Sequence, residues 1–283
     1  MLASLLNVSQ SKIATVSNSI LQNEKIDQKD SKFLRFLKSF LKKPNVEKET
    51  NLVKILSEDV SINQIKKEDL FTINEIVNKS AQQIATVIGR CNSIYSDVVE
   101  SIGLRDLEKL ESSKIALDEL NDEVAHLTDN VDCFLKNLSA NSIEASRFYV
   151  FILSYLHDLI QAIKYILAYS FFYVRHKLPL KFNQIRDLKS IEIQIQNLFN
   201  NIEMAFKDKK FEKIDAILVE KALMLENISR LIQKQIMRSR STSAHYKNSK
   251  LYFSLLLKTN DLIISTTDLL LLFKVFTPNF KKR

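Results

Sequence analysis

Apolar residues recur at three- and four-residue spacing almost without a break from residue 72 to residue 277. That is the period of one face of an α-helix. It predicts six helices, over 72–102, 104–139, 142–176, 182–207, 209–240 and 247–275. Thr72-Ile73-Asn74-Glu75 has the form of a capping box and marks the expected start of the first. Ahead of it, residues 1–31 are polar with a weak helical pattern, and residues 45–70 read as a charged connector. Between these lies SKFLRFLKSFLKKP, residues 31–44. Phe33, Leu34, Phe36, Leu37, Phe40 and Leu41 fall on one helical face, Lys32, Arg35, Lys38, Lys42 and Lys43 on the other, and Pro44 ends the run. A short basic amphipathic helix of this kind has the character of a segment lying in a membrane surface. The competing expectation is that it docks its apolar face on the domain behind it.

The same pattern occurs twice. YVFILSYLHDLI at 149–160 is echoed by YFSLLLKTNDLI at 252–263, with Tyr149, Leu153, Asp158, Leu159 and Ile160 answering to Tyr252, Leu256, Asp261, Leu262 and Ile263. Leu107-Glu108-Lys109-Leu110 matches Phe211-Glu212-Lys213-Ile214, and Ile94, Tyr95, Val98 and Ile102 match Leu198, Phe199, Ile202 and Phe206. The offset is 104 residues through the second helix of each set and 103 in the third. A shift this regular reads as a duplicated three-helix unit. The expected fold is all-α: a tandem repeat of two three-helix bundles over residues 71–277, preceded by an N-terminal segment, 1–70, that carries the amphipathic helix.

Composition narrows the function classes. Two glycines and three prolines among 283 residues cannot furnish the corners of a turn-rich β architecture. Neither GxGxxG nor GxxxxGK[ST] can be written with Gly89 and Gly103 alone, which excludes those phosphate-cradling loops. The net charge is +8, but the basic residues are spread along the helices rather than gathered with aromatics, so nucleic acid is not an expected partner. Cys91 and Cys133 have no zinc or CxxC spacing and read as buried helical thiols. MLASLLNVSQ lacks the basic start of a signal peptide. The most apolar window, 148–174, contains His157, Asp158, Gln161 and Lys164, which marks it as bundle core rather than a lipid-facing span.

The stretches NSIEASRFYVFILSYLHDLIQAIKYI (141–166), FEKIDAILVEKALMLENISRLIQKQIMR (211–238) and KNSKLYFSLLLKTNDLIISTTDLLL (247–271) carry a family resemblance. The chain resembles PhoU-like domains, most closely the C-terminal cytoplasmic domain of Pit-type inorganic phosphate transporters. The resemblance covers about 72–275 and leaves residues 1–70 aside. It implies a non-catalytic domain at the inner face of the cell membrane that regulates or accompanies phosphate transport. Its partners would be the membrane domain of a phosphate transporter or a phosphate-signalling protein, with a second copy of the chain as a further candidate. The alternative is a free-standing helical adaptor with no phosphate role.

The resemblance also implies a metal site, because PhoU proteins carry an E/D-x-x-x-D pattern on the second helix of each repeat. Asp118 and Asp122 have that spacing, with Glu119 and Glu123 beside them, and a divalent metal is the cofactor they would take. The second repeat has Ala222 and Glu226 instead, so one copy has decayed. The competing reading is an acidic, solvent-facing stripe paired with neighbouring lysines. Glu123 and His126 form the chain's one ExxH, and a ferritin-like di-metal site needs two. The shared Asp158 and Asp261 are expected as buried aspartates bonded to a neighbouring helix. RSRSTSAHYKNSK at 238–250 gathers Arg238, Arg240, His245, Lys247 and Lys250, which suit phosphate, an acidic partner or simple helix-end compensation.

Overall fold

The structure, a computed structural model, describes residues 67–129, 143–178, 180–209, 211–241 and 246–276. These form six α-helices and no strand among the described residues. They are α1 (Lys67–Leu104), α2 (Leu107–Asp129), α3 (Ile143–Arg175), α4 (Phe182–Lys207), α5 (Ile214–Ser241) and α6 (Tyr246–Phe276), with one 3₁₀ turn, Phe211–Lys213, ahead of α5. The helix expected to start at Thr72 already runs from Lys67, so the Thr72–Glu75 motif lies inside α1 and does not open it. The basic segment at 31–44 lies outside the described residues.

Helix ends explain how a chain so poor in glycine turns its corners. Arg105, Lys177 and Lys209 follow α1, α3 and α4 with φ of 60°, 50° and 56°, the left-handed position that glycine usually occupies. After α3 the closure is a complete Schellman pattern: Leu178 N–H donates to the Tyr173 carbonyl and Lys177 N–H to the Val174 carbonyl, both at 3.1 Å. Asp106 N–H donates to the Ser101 carbonyl after α1 in the same way. Basic side chains at these ends also oppose the negative end of each helix dipole.

The N-terminus of α4 is less well made. Lys181 is its N-cap, and Gln184 Oε1 accepts the Lys181 N–H at 2.9 Å. The other half of a capping box needs a side-chain acceptor at the cap, and an ammonium has none. Lys181→Ser should therefore stabilise the fold by about 1 kcal/mol, read as a higher urea midpoint at unchanged slope.

α1 packs on α2, α3 and α4; α3 also packs on α2 and α6, and α5 lies against α4 and α6. The pairing of α1 with α4 is antiparallel: Gly89 faces the Glu203 carboxylate, Asn92 bonds Asn200, Ser96 bonds Glu192, and Gly103 faces Ile185. α3 and α6 are antiparallel as well, since Phe148 meets Phe273 and Lys258 lies 4.9 Å over the Tyr165 ring. α4 and α6 meet through large side chains, Phe206 on Phe273 and Asp187 with Tyr252. α6 buries residues on nearly all sides, among them Leu251, Phe253, Leu256, Leu262, Leu269 and Phe273. Its buried threonines are satisfied locally: Thr266 and Thr267 donate to the carbonyls four residues back at 2.7 Å.

Ser146–Arg175 is long and apolar enough to cross a membrane by length and composition. Here it lies within the bundle between α1, α2 and α6, as expected for the 148–174 window.

The core also holds several weak acids in neutral form. Burial pushes the Cys91 thiol up from 9.0 to about 12, against a small opposing pull from Arg90. Burial likewise raises the Tyr95, Tyr173 and Tyr252 phenols above their ordinary value. Each group ionises more readily unfolded than folded. Their contribution to stability is therefore intact below about pH 9 and is lost as pH rises through the folded values. Denaturant midpoints should fall steadily from pH 9 to pH 11 while staying level between pH 7 and pH 8.

Candidate functional site

The sequence points first to the acidic stripe of α2. Its apolar side, Leu110, Leu117, Leu120 and Val124, is buried, which turns Asp118, Glu119, Asp122 and Glu123 outward to solvent. Arg90 of α1 reaches this stripe. Its Nη1 lies 2.5 Å from Glu123 Oε1, and its Nη2 lies 3.6 Å from Glu119 Oε2 and donates to the Ala116 carbonyl at 3.3 Å. The guanidinium thus ties α2 to α1 and offsets the charge of two of the four carboxylates. The paired cation expected here is an arginine rather than a lysine.

Asp118 and Asp122 share an exposed helix face, spaced four residues apart. Among the described residues no three His, Cys, Asp or Glu side chains come together to hold a metal ion. Two carboxylates facing bulk water leave most of a hard cation's six to eight oxygen positions to solvent. Glu123 of the ExxH is engaged by Arg90, and His126 is exposed one turn further on.

Cys91 is buried, as expected; Cys133 and His245 lie outside the described residues, as do Lys32, Phe33, Arg35, Phe36, Lys38, Phe40, Lys42 and Lys43. His176 stacks on Phe172 at 4.2 Å, with Nδ1 2.7 Å from the Phe172 carbonyl, at the end of α3. The paired aspartates correct the expectation made of them. Asp261 is 40% exposed and pairs with Lys258 of its own helix at 2.8 Å, while Asp158 is half-buried beside an exposed His157. The three-residue spacing from Lys258 already offers Asp261 a partner, so it needs none across the interface.

Two buried polar groupings were not anticipated. Between α1 and α4, Glu192 is 1% exposed and accepts from Ser96 Oγ at 2.6 Å and Gln196 Nε2 at 3.0 Å. Lys189 Nζ closes on its other oxygen at 2.6 Å. Tyr95 next to Ser96 bonds Thr259 of α6 at 3.0 Å. The second grouping joins three helices of the latter half: Tyr252 Oη donates to Asp187 Oδ2 at 3.3 Å, and Arg238 Nη1 stands 3.5 Å from the same oxygen. Arg238 is thus partly committed inside the fold and does not belong wholly to the basic 238–250 stretch. A sequence signal existed for Glu192, which sits four residues after Leu188 and three before Ile195, on the apolar stripe itself. Both groupings tie helices at fixed register, and each charge in them faces a partner. Comparison with protein families, with curated proteins and with solved structures finds no match to this chain.

Proposed function

We propose that residues 71–277 are a PhoU-like double three-helix bundle and that the chain is a non-catalytic regulatory or accessory domain of inorganic phosphate transport. In this reading it works at the inner face of the cell membrane, by contact with the membrane domain of a phosphate transporter or with a phosphate-signalling protein. The observation that carries the reading is the way helices pair with their own counterparts in the repeat. α1 packs on α4 and α3 on α6, and within the first pair the contacts exchange under the 104-residue shift. Asn92 bonds Asn200 at 3.0 Å, while their counterparts Gln196 and Ser96 bond each other at 2.9 Å. A duplicated unit packing on itself about a local two-fold axis makes such reciprocal pairs. Two similar helical faces arranged in this way suit contact with another protein better than they suit enclosing a substrate.

The test is phosphate uptake by cells lacking the gene, together with recovery of a phosphate transporter or sensor on the tagged protein at low and high phosphate. Altered uptake and phosphate-dependent recovery are expected. Unchanged uptake with no such partner would overturn the reading in favour of a free-standing adaptor.

A further inference from the structure

Two short connections, α1–α2 and α3–α4, meet at one end of the bundle. They close around a small cavity of about 70 Å³ lined by Ile102, Gly103, Arg105, Tyr173, Lys177 and Ile185, among others. Ligand pockets usually run to roughly 300 Å³ or more, so this cavity is too small to be the feature of interest. What surrounds it is more informative. Phe182, the first residue of α4, is 81% exposed, Leu104 at the end of α1 is 69% exposed, and Leu107 at the start of α2 is 38% exposed. Around them Arg105, Arg175, Lys177, Lys181 and Arg186 are all exposed. The acidic residues of these connections and their first turns are Asp106, which accepts the Lys109 N–H as the cap of α2, and exposed Glu108. Lys109 is neutralised by Asp97 and Glu100 at 3.0 and 2.6 Å.

The placement of these residues goes against local stability. A cation at the N-cap of α4, with no acid in its first turn, opposes the helix dipole. A phenylalanine left four-fifths exposed at the next position contributes little to the core. Residues that break local rules without a local gain point to a surface kept for contact. Apolar side chains standing clear at a helix-bundle end, within a ring of unpaired lysines and arginines, match the layered chemistry of an anionic bilayer, with phosphates outside and acyl chains beneath.

We propose that this end of the bundle docks on an anionic phospholipid surface. Phe182, Leu104 and Leu107 enter the headgroup layer, and the surrounding cations pair with lipid phosphates. The proposal does not depend on the phosphate-transport reading, and it uses residues distinct from the basic segment at 31–44.

The chain has no tryptophan, so Phe182→Trp in this 283-residue chain places a single reporter at the contact. Mixed with phosphatidylglycerol–phosphatidylcholine vesicles, its emission should shift to the blue and be quenched by brominated lipid. Pure phosphatidylcholine vesicles should give neither effect. Adding Lys177→Glu and Lys181→Glu should weaken the partition roughly tenfold or more, with the helical circular dichroism unchanged. Vesicle binding with an unshifted indole means that other residues hold the membrane, and it overturns the proposal. So does an unshifted indole without binding, which leaves this cationic end to an acidic protein.

Discussion

Phe273→Ala should be among the most damaging single changes in the bundle, lowering stability by about 3–5 kcal/mol. Phe273 is fully buried near the end of α6. Its ring meets Phe148 of α3 edge-on at 5.1 Å and Phe206 of α4 at 4.8 Å, so three helices converge on one side chain. Truncation to alanine removes both edge-to-face contacts and leaves a void that two aromatic neighbours, themselves fully buried, cannot easily collapse into. For a domain of this size the loss corresponds to a fall in Tm of roughly 6–20 °C. Phe273→Leu retains much of the volume and should cost clearly less. Thermal melts of the two variants side by side check this, and equal melting temperatures for Phe273→Ala and the parent would show that the ring is not packed as described.

Phe273 also shows what the sequence made legible. Its place on an apolar stripe at helical spacing is evident from composition and period alone, as are the six helices. Helices α3 to α6 begin and end within a few residues of where periodicity puts them, apart from the 3₁₀ turn that precedes α5. The start of α1 is not legible because a capping box is a local signal: Thr72-Ile73-Asn74-Glu75 suits an N-terminus, yet nothing in Lys67–Phe71 forbids a helix from passing through. Interfaces between distant helices are harder still. No local rule says that Phe148 meets Phe273 or that Arg90 reaches Glu123, because those contacts depend on which faces the helices turn to one another.

The α2 stripe is legible in the sequence as helical, and of its two readings the outward-facing one agrees with the exposure of Asp118 and Asp122; its partner, a single arginine on the preceding helix, is not foreseeable from spacing within α2. The cationic end around Phe182 was invisible for a different reason. Leu104, Arg105, Lys177, Lys181 and Phe182 are scattered over almost eighty positions and become neighbours only when the two connections close at one end of the bundle.

Glu192 carries the second large effect, and Glu192→Ala should cost about 2–3 kcal/mol. The carboxylate is all but inaccessible and is the acceptor for Ser96 across the α1–α4 interface and for Gln196 one turn along its own helix. Removing it leaves those half-buried donors with only each other, and each donor left buried and unsatisfied costs about 1–3 kcal/mol. Lys189 limits the damage, because its side chain is 54% exposed and can return to solvent. The penalty therefore stays below the 3–5 kcal/mol typical when one member of a fully buried ion pair is removed. Glu192→Gln keeps an acceptor for Ser96 and should lose about 1 kcal/mol. Pairing each change with Ser96→Ala in a double-mutant cycle isolates the contact: a coupling near zero between positions 96 and 192 would mean that this bond does not fix the register of α1 on α4. A coupling of about 1 kcal/mol or more would make the Ser96–Glu192 bond a determinant of how the two halves of the chain are joined.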